Sequence, residues 1–402
     1  MALIVQKFGG SSVADAQRIF HVAEIITKTY QQGNSVCVVL SAQGDTTDDL
    51  IEKAREINPD ASRREMDMLL SCGEQMSIAL MAMAIEKLAF PVVSLCAWQI
   101  GMATDSNHSA AHITKVDCER VKEELDRKRI VLVAGFQGVD RTGDITTLGR
   151  GGSDTTAVAL AVALQADLCQ IYTDVDGVYT SDPRIVPEAR KLSEITYDEM
   201  LELASMGAQV LHNRSVELAK SYGIQLEVLS SFTGNPGTIV KEVVKKVEKT
   251  YITGVAQDKK IARFALVGLE DVPGVAYKLF NLLAKDKINV DMIIQSLGHD
   301  ERKDIIFTVA DKDSMACARL LDENKDVLKY DHMDINTGVS KVSIVGAGML
   351  ENAGVAAKMF EALYQAHINI HMISTSEIKV SVLIDKEDSD RAVRVIHNIF
   401  FQ

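Results

Sequence analysis

The carboxyl-terminal third of this chain repeats itself at a fixed offset of 80 residues, and this repeat constrains the fold more than any other feature. Of the 23 positions from 274 to 296, eleven carry the residue found 80 positions later. Identity of this density at one offset indicates two copies of one structural unit. The recurring residues of the first copy are Gly274, Val275, Ala276, Lys278, Phe280, Leu283, Ile288, Asn289, Met292, Ile293 and Ser296.

Both copies show the same order of hydrophobic patterns. An apolar run predicts a strand, a glycine-containing loop follows, and apolar residues at helical spacing predict an amphipathic helix. An Ile-Asn pair then opens another strand, and a further strand pair and helix complete a βαββαβ module. The predicted elements are strands at 264–267 and 342–345 and helices at 275–284 and 355–365.

Residues 1–240 alternate between short aliphatic runs and longer segments with helical periodicity. This alternation predicts an α/β domain in which helices sandwich an open, parallel-rich sheet. The predicted strands are 3–7, 36–40, 92–95, 130–134, 169–173 and 226–229, and the predicted helices are 14–29, 65–88, 155–164 and 196–206.

A charged stretch in which Lys and Glu interleave with Val follows the first domain and is typical of a linker. We expect the first domain at 1–240, the linker at 241–260, and the two repeat modules at 261–339 and 340–402. The sequence leaves open whether a strand at 251–256 joins the second module.

Composition and charge exclude several classes of partner. The chain of 402 residues is 47% hydrophobic and 25% charged, which is typical of globular proteins. Its formal net charge of -13 gives no attraction to nucleic acid or to an anionic membrane. The six scattered cysteines match no zinc or disulfide pattern, and no apolar run reaches the length of a signal peptide or a membrane span. We therefore expect a cytoplasmic protein.

A glycine turn lies between the first predicted strand and the first predicted helix. It consists of Lys7, Phe8, Gly9, Gly10 and Ser11. Glycines let backbone N–H groups approach an anion, the helix start adds a positive end, and the lysine adds a full charge. The turn is either a phosphate site or a plain tight turn. It matches neither the P-loop pattern nor the dinucleotide-binding pattern.

Two further clusters follow the same logic. In the loop at 146–156, Arg150 can form a fork onto a carboxylate or phosphate. The alternative is a flexible loop in which Asp154 or Thr155 caps the next helix. The cluster at 173–184 follows an apolar strand, and its acidic and hydroxyl side chains suit a ribose, an adenine and Mg²⁺, or else form a polar surface turn.

Five motifs, taken in order along the chain, resemble those of aspartate kinases of the monofunctional lysine-pathway type. The two repeat copies resemble the paired ACT modules of the same family, so the resemblance covers the whole chain. It implies an amino-acid-kinase-type domain followed by two ferredoxin-like ACT modules. The motifs are KFGGSSV from Lys7, SAQGDTT from Ser41, EMDMLL from Glu65 with Gly73-Glu74, TLGRGGSD from Thr147 and TDVDGVYTSDPR from Thr173.

This resemblance implies a reaction. ATP would phosphorylate the side-chain carboxylate of L-aspartate to 4-phospho-L-aspartate, the first step toward lysine, threonine, methionine and isoleucine. Mg²⁺ would arrive with the nucleotide, and no separate protein metal site is implied. Because a carboxylate is already ionised at neutral pH, no general base is needed. The difficulty is to bring an anion to the triphosphate and to stabilise the transferring phosphoryl group.

The resemblance also implies site residues, carried over position by position. Lys7, Arg150 and Asp154 are the catalytic residues: Lys7 serves the phosphoryl group, Arg150 clamps an aspartate carboxylate, and Asp154 orients Lys7 or the metal-phosphate geometry. Glu74 would accept the substrate ammonium. The aspartate-binding residues are Ser41, Thr47, Glu74, Arg150, Gly151, Gly152 and Ser153. The ATP-binding residues are Lys7, Phe8, Gly9, Gly10, Ser11, Thr173, Asp174, Tyr179, Thr180, Asp182, Pro183 and Arg184.

The repeat modules are expected to bind lysine, threonine or both and to inhibit the enzyme. Backbone N–H groups at a helix start can hold a carboxylate, although the Gly-Val-Ala turn and the Asn are also explained as fold signatures alone. The second copy has His371 where the first has Asp291. The predicted effector residues are Asp271, Gly274, Val275, Ala276, Asn289, Val290, Asp291, Gln295, Val355, Ala356, Asn369, Ile370, Ser376 and Glu377.

Three positions depart from the family pattern: Gln43 replaces the usual Met, Ile100 a small residue, and Asn213 a Pro. None removes a charge that the mechanism needs. The histidine pairs at 108 and 112 and at 367 and 371 have metal-ligand spacing, but they lack the Glu of H-E-x-x-H.

Two rival functions stay open. One is a kinase of the same fold that acts on glutamate, N-acetylglutamate or UMP, which the twin modules disfavour. The other is a catalytically silent amino-acid sensor, which the retention of Lys7, Arg150 and Asp154 disfavours. We expect a homo-oligomer or an assembly paired through the ACT modules, with small-molecule ligands and without nucleic-acid or membrane partners.

Overall fold

The computed structural model describes residues 2–205, 210–244, 251–297, 302–349, 352 and 354–402. The chain forms two compact units. Unit 1 comprises Met1–Tyr179 and Arg190–Lys246, and unit 2 comprises Thr180–Ala189 and Val247–Gln402. The chain thus enters unit 2 twice, the first time for a short segment only.

The described part of unit 1 contains twelve strands and eight α-helices. The strands are β1 (Leu3–Phe8), β2 (Ser35–Leu40), β3 (Val92–Leu95), β4 (Met102–Thr104), β5 (Ile113–Val116), β6 (Ile130–Ala134), β7 (Gln137–Val139), β8 (Ile145–Thr147), β9 (Leu168–Thr173), β10 (Glu194–Thr196), β11 (Leu226–Ser230) and β12 (Thr238–Lys241). The helices are α1 (Ala16–Gln31), α2 (Thr46–Ile57), α3 (Arg63–Leu70), α4 (Cys72–Lys87), α5 (Glu119–Asp126), α6 (Gly152–Leu164), α7 (Tyr197–Ser205) and α8 (Asn213–Tyr222).

Eight of these strands form the main sheet, in the order β10-β12-β11-β9-β1-β2-β6-β3. All neighbours are parallel except β11 and β12. The buried runs of β2 and β6 explain their interior positions, because a strand covered on both faces carries consecutive apolar residues. All six predicted strands belong to this sheet, and the predicted α/β class is confirmed.

Helices pack on this sheet through a continuous apolar core. Helices α1 and α4 pack together, and Ile26 and Met81 meet Leu40 and Leu132 of the sheet in one buried cluster. Helix α6 packs on β1, β2 and β9 and on α8. Its first ten residues are all buried, which fits a helix that is apolar on every side.

The predicted helix at 65–88 is divided into α3 and α4 at Ser71. Together they form one helical stretch, Arg63–Lys87, that is long and apolar enough by length and composition to cross a membrane, and half of its apolar 18-residue window is buried inside the protein. Its buried residues include the polar side chains of Asp67, Glu74 and Ser77. The stretch therefore has the character of a core helix of a globular domain.

A second, four-stranded sheet in unit 1 has the order β5-β4-β7-β8. The sequence did not predict these strands. Each is only three or four residues long and mixes polar with apolar residues, so periodicity gives little signal. This sheet carries the start of the loop that contains Arg150.

The described part of unit 2 contains eight strands and five α-helices. The strands are β13 (Gly254–Asp258), β14 (Ile261–Glu270), β15 (Val290–Leu297), β16 (Arg302–Ala310), β17 (His332–Asn336), β18 (Val339–Val345), β19 (Met372–Thr375) and β20 (Lys379–Asp385). The helices are α9 (Val275–Lys285), α10 (Ser314–Glu323), α11 (Lys325–Leu328), α12 (Val355–Gln365) and α13 (Ser389–Phe401).

These elements build two four-stranded antiparallel sheets, in the orders β15-β16-β14-β17 and β13-β18-β20-β19. The first, with α9, α10 and α11, is module 1, and the second, with α12 and α13, is module 2. Strand β13 pairs antiparallel with β18, so module 2 takes one strand from the chain before module 1. The modules share a small apolar cluster that includes Ile261, Met292, Val339, Met372 and Leu383.

The internal repeat is visible in the backbone. Gly274 and Gly354 have φ angles of +96° and +98° and directly precede α9 and α12. Only glycine adopts this conformation without strain, which explains its recurrence at the 80-residue offset. Lys287 and His367, just beyond the same helices, also share a positive φ.

The segment Thr180–Ala189 packs into module 2, although the predicted boundary at 240 placed it in the first domain. Val186 is 1% exposed and belongs to the core of module 2. The carbonyl oxygen of Thr180 accepts a hydrogen bond from the backbone N–H of Val255 (2.8 Å), and Arg394 Nε donates to the carbonyl oxygen of Ile185 (3.0 Å). Unit 2 therefore contains two separate segments of the chain, which a single boundary in the sequence does not describe.

Candidate active site

Two of the three predicted catalytic residues, Lys7 and Asp154, meet near the carboxyl ends of the parallel strands. Lys7 is near the end of β1, and Asp154 is in the first turn of α6. Lys7 Nζ lies 2.7 Å from Asp154 Oδ1, and each side chain is only 12% exposed. Ligands of open α/β sheets bind at this edge, outside the carboxyl ends of the strands. The ion pair places a partly desolvated cation where an anion can reach it.

The glycine turn after β1 is packed tightly against the turn after β2. A Cβ atom added to Gly10 would lie 2.6 Å from the carbonyl oxygen of Ala42, closer than real contacts allow. The backbone N–H of Gly44 donates to the carbonyl oxygen of Gly10 (3.0 Å). Gly9 faces Lys7, whose Nζ lies 3.5 Å from the position of an added Cβ. Glycine backbone N–H groups beside a lysine amine are suited to bind the phosphates of a nucleotide.

Glu74 lies in the first turn of α4 and is 3% exposed. Its Oε1 accepts a hydrogen bond from the backbone N–H of Ala42 (3.1 Å), and its Oε2 has no hydrogen-bond partner among the described residues. Burial raises the pKa of Glu74 to about 7, although the bond from Ala42 partly opposes this shift. A buried carboxylate oxygen without a partner suits a substrate cation.

The Arg150 loop has a constrained backbone and an exposed tip. Gly149 and Gly151 have φ angles of +76° and +68°. A Cβ on Gly151 would overlap the His212 ring, so the chain approaches that ring closely. Arg150 itself is exposed, and no ion pair to it occurs within the described residues. A charged side chain at the tip of a fixed loop is available to an anionic ligand.

The other predicted aspartate-binding residues lie around the same elements. Ser153 is buried beside Gly135, where an added Cβ would lie 2.6 Å from Ser153 Oγ. The backbone N–H of Ser41 donates to the carbonyl oxygen of Phe8 (3.1 Å). Thr47 is half-buried in the first turn of α2. The structure assigns no side-chain hydrogen bond to Ser41 or Thr47 within its described residues.

The cluster at 173–184 is held together by Asp176, which the sequence analysis did not single out. Asp176 accepts hydrogen bonds from Tyr179 OH (2.7 Å) and Asn235 Nδ2 (3.0 Å), and it pairs with Lys191 Nζ (3.3 Å). These contacts, led by the Tyr179 bond, lower the pKa of Asp176. The sequence alone does not show which of the neighbouring residues Asp174, Asp176 and Asp182 makes these contacts.

The seven predicted ATP-binding residues of the cluster at 173–184 divide between the two units. Thr173, Asp174 and Tyr179 lie in unit 1, where Thr173 Oγ1 donates to Asp174 Oδ1 (3.0 Å). The remaining four belong to the segment that packs into module 2, and Arg184 pairs there with Asp182 (2.7 Å), which lowers the pKa of Asp182. These four are Thr180, Asp182, Pro183 and Arg184.

One group of possible metal ligands occurs among the described residues: atoms of His108, Asp140 and Asp144 lie within 4.8 Å of one another. Their carboxylates already have other partners. Asp140 accepts hydrogen bonds from Thr142 and from Ser106, and these hold the pKa of Asp140 well below its usual range. Asp144 pairs with an arginine, Arg64 (2.6 Å). The group is explained as a hydrogen-bonded turn.

Comparison with known proteins bears directly on this site. Residues 2–230 match the model of the amino acid kinase family, and residues 264–324 and 342–400 match the ACT domain model. The aspartokinase of Bacillus sp. (strain MGA3) is 48% identical over 400 residues, which cover 100% of this chain and 97% of that protein. The aspartate kinase of Pseudomonas putida is 48% identical over 401 residues, which cover 100% and 98%. The chain belongs to the aspartokinase family.

Solved structures of aspartokinases superpose on this chain over its full length. The crystal structure of E. coli aspartokinase III in complex with aspartate and ADP (R-state) is 26% identical, with a TM-score of 0.84 and coverage of 100% of both chains. The complex of the same enzyme with lysine and aspartate (T-state) gives a TM-score of 0.79. The predicted amino-acid-kinase fold, the ACT modules and the aspartate kinase function are confirmed by this family membership.

In this aspartokinase-family chain, the predicted acidic effector residues of module 1 are already paired with lysines. Asp271 pairs with Lys303 Nζ (2.9 Å), and Asp291 pairs with Lys341 of module 2. Both lysines are buried, with 10% and 5% of their side chains exposed. An effector ammonium that binds either carboxylate would therefore compete with a buried lysine.

The remaining predicted effector residues of module 1 surround the start of α9 and the strand β15. Gly274 caps α9 in the left-handed conformation, and Val275 is buried in the module core. Ala276 is partly buried against the same core, Asn289 and Gln295 are exposed, and Val290 is half-buried.

Module 2 of the aspartokinase-family chain repeats this arrangement with different chemistry. Val355 is buried and Ala356 is partly buried at the start of α12. His371 pairs with Asp385 (2.8 Å), where module 1 has the Asp291 ion pair. The other predicted residues have ordinary surface positions: Asn369, Ser376 and Glu377 are exposed and Ile370 is half-buried.

Proposed function

We propose that this chain transfers the γ-phosphoryl group of ATP to the side-chain carboxylate of L-aspartate, giving 4-phospho-L-aspartate and ADP. The observation that carries the proposal is the joint position of the Lys7–Asp154 ion pair and the buried Glu74 carboxylate, linked through Ala42. One end of this arrangement offers a cation for phosphate, and the other offers an anion for an ammonium group.

Aspartate recognition is assigned to opposite charges on two elements. Glu74 Oε2 accepts the substrate ammonium, which restores a partner to a buried oxygen that otherwise has none among the described residues. Arg150 forms a fork onto the substrate carboxylate beside Cα, and Ser153, Thr47 and Ser41 add hydroxyl contacts. The side-chain carboxylate of the substrate is then left for the phosphoryl group.

Phosphoryl transfer requires positioning and charge stabilisation more than proton transfer. Lys7 binds the γ-phosphoryl oxygens and stabilises the charge that they carry in the transition state. Asp154 holds the Lys7 amine in place through the 2.7 Å ion pair. When bound, Mg²⁺ supplied with ATP neutralises further charge on the β- and γ-phosphates.

Nucleotide binding in unit 1 is assigned to the turn after β1 and the loop after β9. Backbone N–H groups of Gly9, Gly10 and Ser11 contact phosphate, and Thr173, Asp174 and Tyr179 contact the nucleoside. The bond from Tyr179 OH to Asp176 supports this assignment, since it fixes the ring before the nucleotide arrives.

Feedback regulation is assigned to the ACT modules, with lysine, threonine or both as effectors. The E. coli relative that is solved with lysine supports this part of the proposal, as do the paired acidic residues Asp271 and Asp291. We also propose a cytoplasmic enzyme that assembles through its ACT modules. The cysteines support the compartment, because all six are unpaired.

The test is ADP release with ATP, Mg²⁺ and L-aspartate, compared with L-glutamate and with no acceptor, each with and without lysine and threonine. Aspartate-dependent turnover is expected, and its suppression by an effector identifies the ligand of the modules. Arg150→Ala should raise the KM for aspartate, whereas Arg55→Ala, at an exposed position on α2, should not. Folded protein without aspartate-dependent ADP release, whose melting temperature still rises with lysine or threonine, would instead identify a silent sensor.

A further inference from the structure

We propose that Asp67 is a positioning residue that holds the Arg150 loop in the conformation that binds aspartate, an inference that rests on the function proposed above. Asp67 lies in α3, and its carboxylate is completely buried. None of the contacts assigned to substrate or nucleotide involves it. Its role follows from the residues that it binds.

Asp67 accepts hydrogen bonds from two separate loops. From the strand that leads to Arg150, Thr147 donates its backbone N–H (3.0 Å) and its Oγ1 hydroxyl (2.7 Å). From the loop before β5, Ser109 donates its backbone N–H (2.9 Å to Oδ2) and its hydroxyl (3.3 Å). His108 Nδ1 lies 3.1 Å from Oδ2 and carries a hydrogen, because a carboxylate can only accept. One buried carboxylate thus joins both loops.

Ser109 adopts a conformation that requires such support. Its φ angle is +69°, which is unfavourable for a residue with a side chain. Strained backbone of this kind persists where surrounding contacts fix it, and it concentrates at functional sites. The bifurcated hydrogen bond from the Ser109 N–H to both oxygens of Asp67 provides that fixation.

The fixed loops lead directly to Arg150. Ala111 N donates to the carbonyl oxygen of Thr147 (2.9 Å), so the two loops are also bonded to each other. A Cβ on Gly149 would lie 3.1 Å from the carbonyl oxygen of Ser109, so Gly149 packs directly on the loop that Asp67 holds. From the opposite side, Arg214 donates to the carbonyl oxygens of Leu148 (3.1 Å) and Ala111 (2.9 Å). Arg150 is the first exposed residue beyond these anchors.

This arrangement gives Asp67 a specific effect on catalysis. An isosteric Asp67→Asn change turns one acceptor into an NH₂ group that faces N–H and O–H donors, so at least one donor loses its partner. The Arg150 loop then samples other positions, and misplacement of a binding group by about 1 Å costs on the order of 100-fold in rate. No hydrogen bond or ion pair joins Asp67 to the glycine turn at Lys7 among the described residues, so ATP binding should be unaffected.

The experiment measures the KM for aspartate, the KM for ATP and kcat for the full chain with Asp67 or with Asp67→Asn. We expect kcat/KM for aspartate to fall by about 10- to 100-fold, mainly through KM, while the KM for ATP changes by less than about twofold. The matched control is Glu124→Gln, which alters another fully buried carboxylate, held in α5 by Arg120, Arg127 and Arg129. It should lower the melting temperature and leave both KM values unchanged.

A second pair of variants keeps the test valid if Asp67→Asn does not fold. Thr147→Val removes only the 2.7 Å hydroxyl bond to Asp67, and Thr147→Ser retains it. The valine variant should raise the KM for aspartate, and the serine variant should restore it. An unchanged KM for aspartate in both Asp67→Asn and Thr147→Val, with wild-type turnover present, would overturn the inference. Absence of turnover in the wild-type chain would instead overturn the proposed function.

Discussion

Lys7 and Asp154 form a nearly buried ion pair between the end of one parallel strand and the first turn of a helix. Their atoms lie 2.7 Å apart and the Lys7 side chain is only 12% exposed, so the position of the amine is fixed before any ligand binds. A preorganised cation stabilises developing charge without reorganisation at the moment of reaction. The pair therefore links the packing of α6 to the chemistry at β1.

Breaking this pair should lower kcat more than it weakens binding. Asp154→Asn keeps the shape of the side chain but frees the Lys7 amine to move, so we expect kcat to fall by about 100- to 1,000-fold with a smaller change in the KM for aspartate. Steady-state kinetics test this expectation. Asp198→Asn is the control, because it breaks a 2.6 Å but exposed pair with Lys220 and should leave kcat unchanged. Wild-type kcat in Asp154→Asn would contradict the assigned role.

The raised pKa of Glu74 predicts a pH dependence for aspartate binding. With a pKa of about 7 in the free enzyme, Glu74 becomes protonated as the pH falls and no longer attracts the substrate ammonium. We expect kcat/KM for aspartate to fall about tenfold per pH unit below 7, while the KM for ATP stays flat. The profile from pH 5.5 to 8.5 measures this, and Glu74→Gln should be inactive with aspartate throughout. A profile that is flat across pH 7 would count against Glu74 as the ammonium ligand.

The buried Glu74 carboxylate should also lower the free energy of unfolding. Its removal should therefore stabilise the protein, although it abolishes aspartate binding. The native pKa of Glu74 is raised above its ordinary value of 4.5, so the native state binds the proton more tightly than the unfolded chain. Its unfavourable contribution is absent below pH 4.5, grows as the pH rises and is complete above 7. Glu74→Gln should therefore stabilise the protein at pH 8 by about 3 kcal/mol and leave it unchanged at pH 4. Thermal unfolding at the two pH values tests this difference.

The paired acidic residues of module 1 predict a separation of regulation from catalysis. Asp271→Asn should weaken inhibition by the effector about tenfold or more, because the carboxylate charge that attracts the effector ammonium is lost. Basal kcat should stay within about twofold, since the residue lies outside unit 1. The control is Asp334→Asn, which removes a different ion-paired carboxylate of the same module, paired with Arg263. Equal loss of inhibition in both variants would show a general effect on the module.

Much of the fold could be predicted from the sequence because its signals are local. The buried strands β2 and β6 are continuous apolar runs, and the repeat fixes the glycines at 274 and 354. The short strands β4, β5, β7 and β8 escaped prediction, since three or four residues of mixed polarity carry no period. The packing of Thr180–Ala189 into module 2 was equally hidden, because its partners are more than 60 residues away in sequence.

In the candidate site, too, some residues could be predicted from the sequence and others could not. Lys7, Arg150, Asp154 and Glu74 were named through motifs, and the Lys7–Asp154 contact follows from the meeting of strand and helix ends. The roles of supporting residues did not follow. Asp67 appears in the sequence as one acidic residue on a helix, and only its burial and its bonds to Thr147 and Ser109 distinguish it.

The pairing of β13 with β18 has a consequence for synthesis on the ribosome. Residues 254–258 emerge early, but their partner at 339–345 emerges only after the whole of module 1. At about 5–20 residues per second, this strand waits several seconds with its edge unpaired, while module 1 can already fold on local contacts. Module 1 is thus nested inside module 2 along the chain, and module 2 is the last to be completed. Any nascent chain released within residues 259–338 would carry an orphan strand, an exposed template for aggregation.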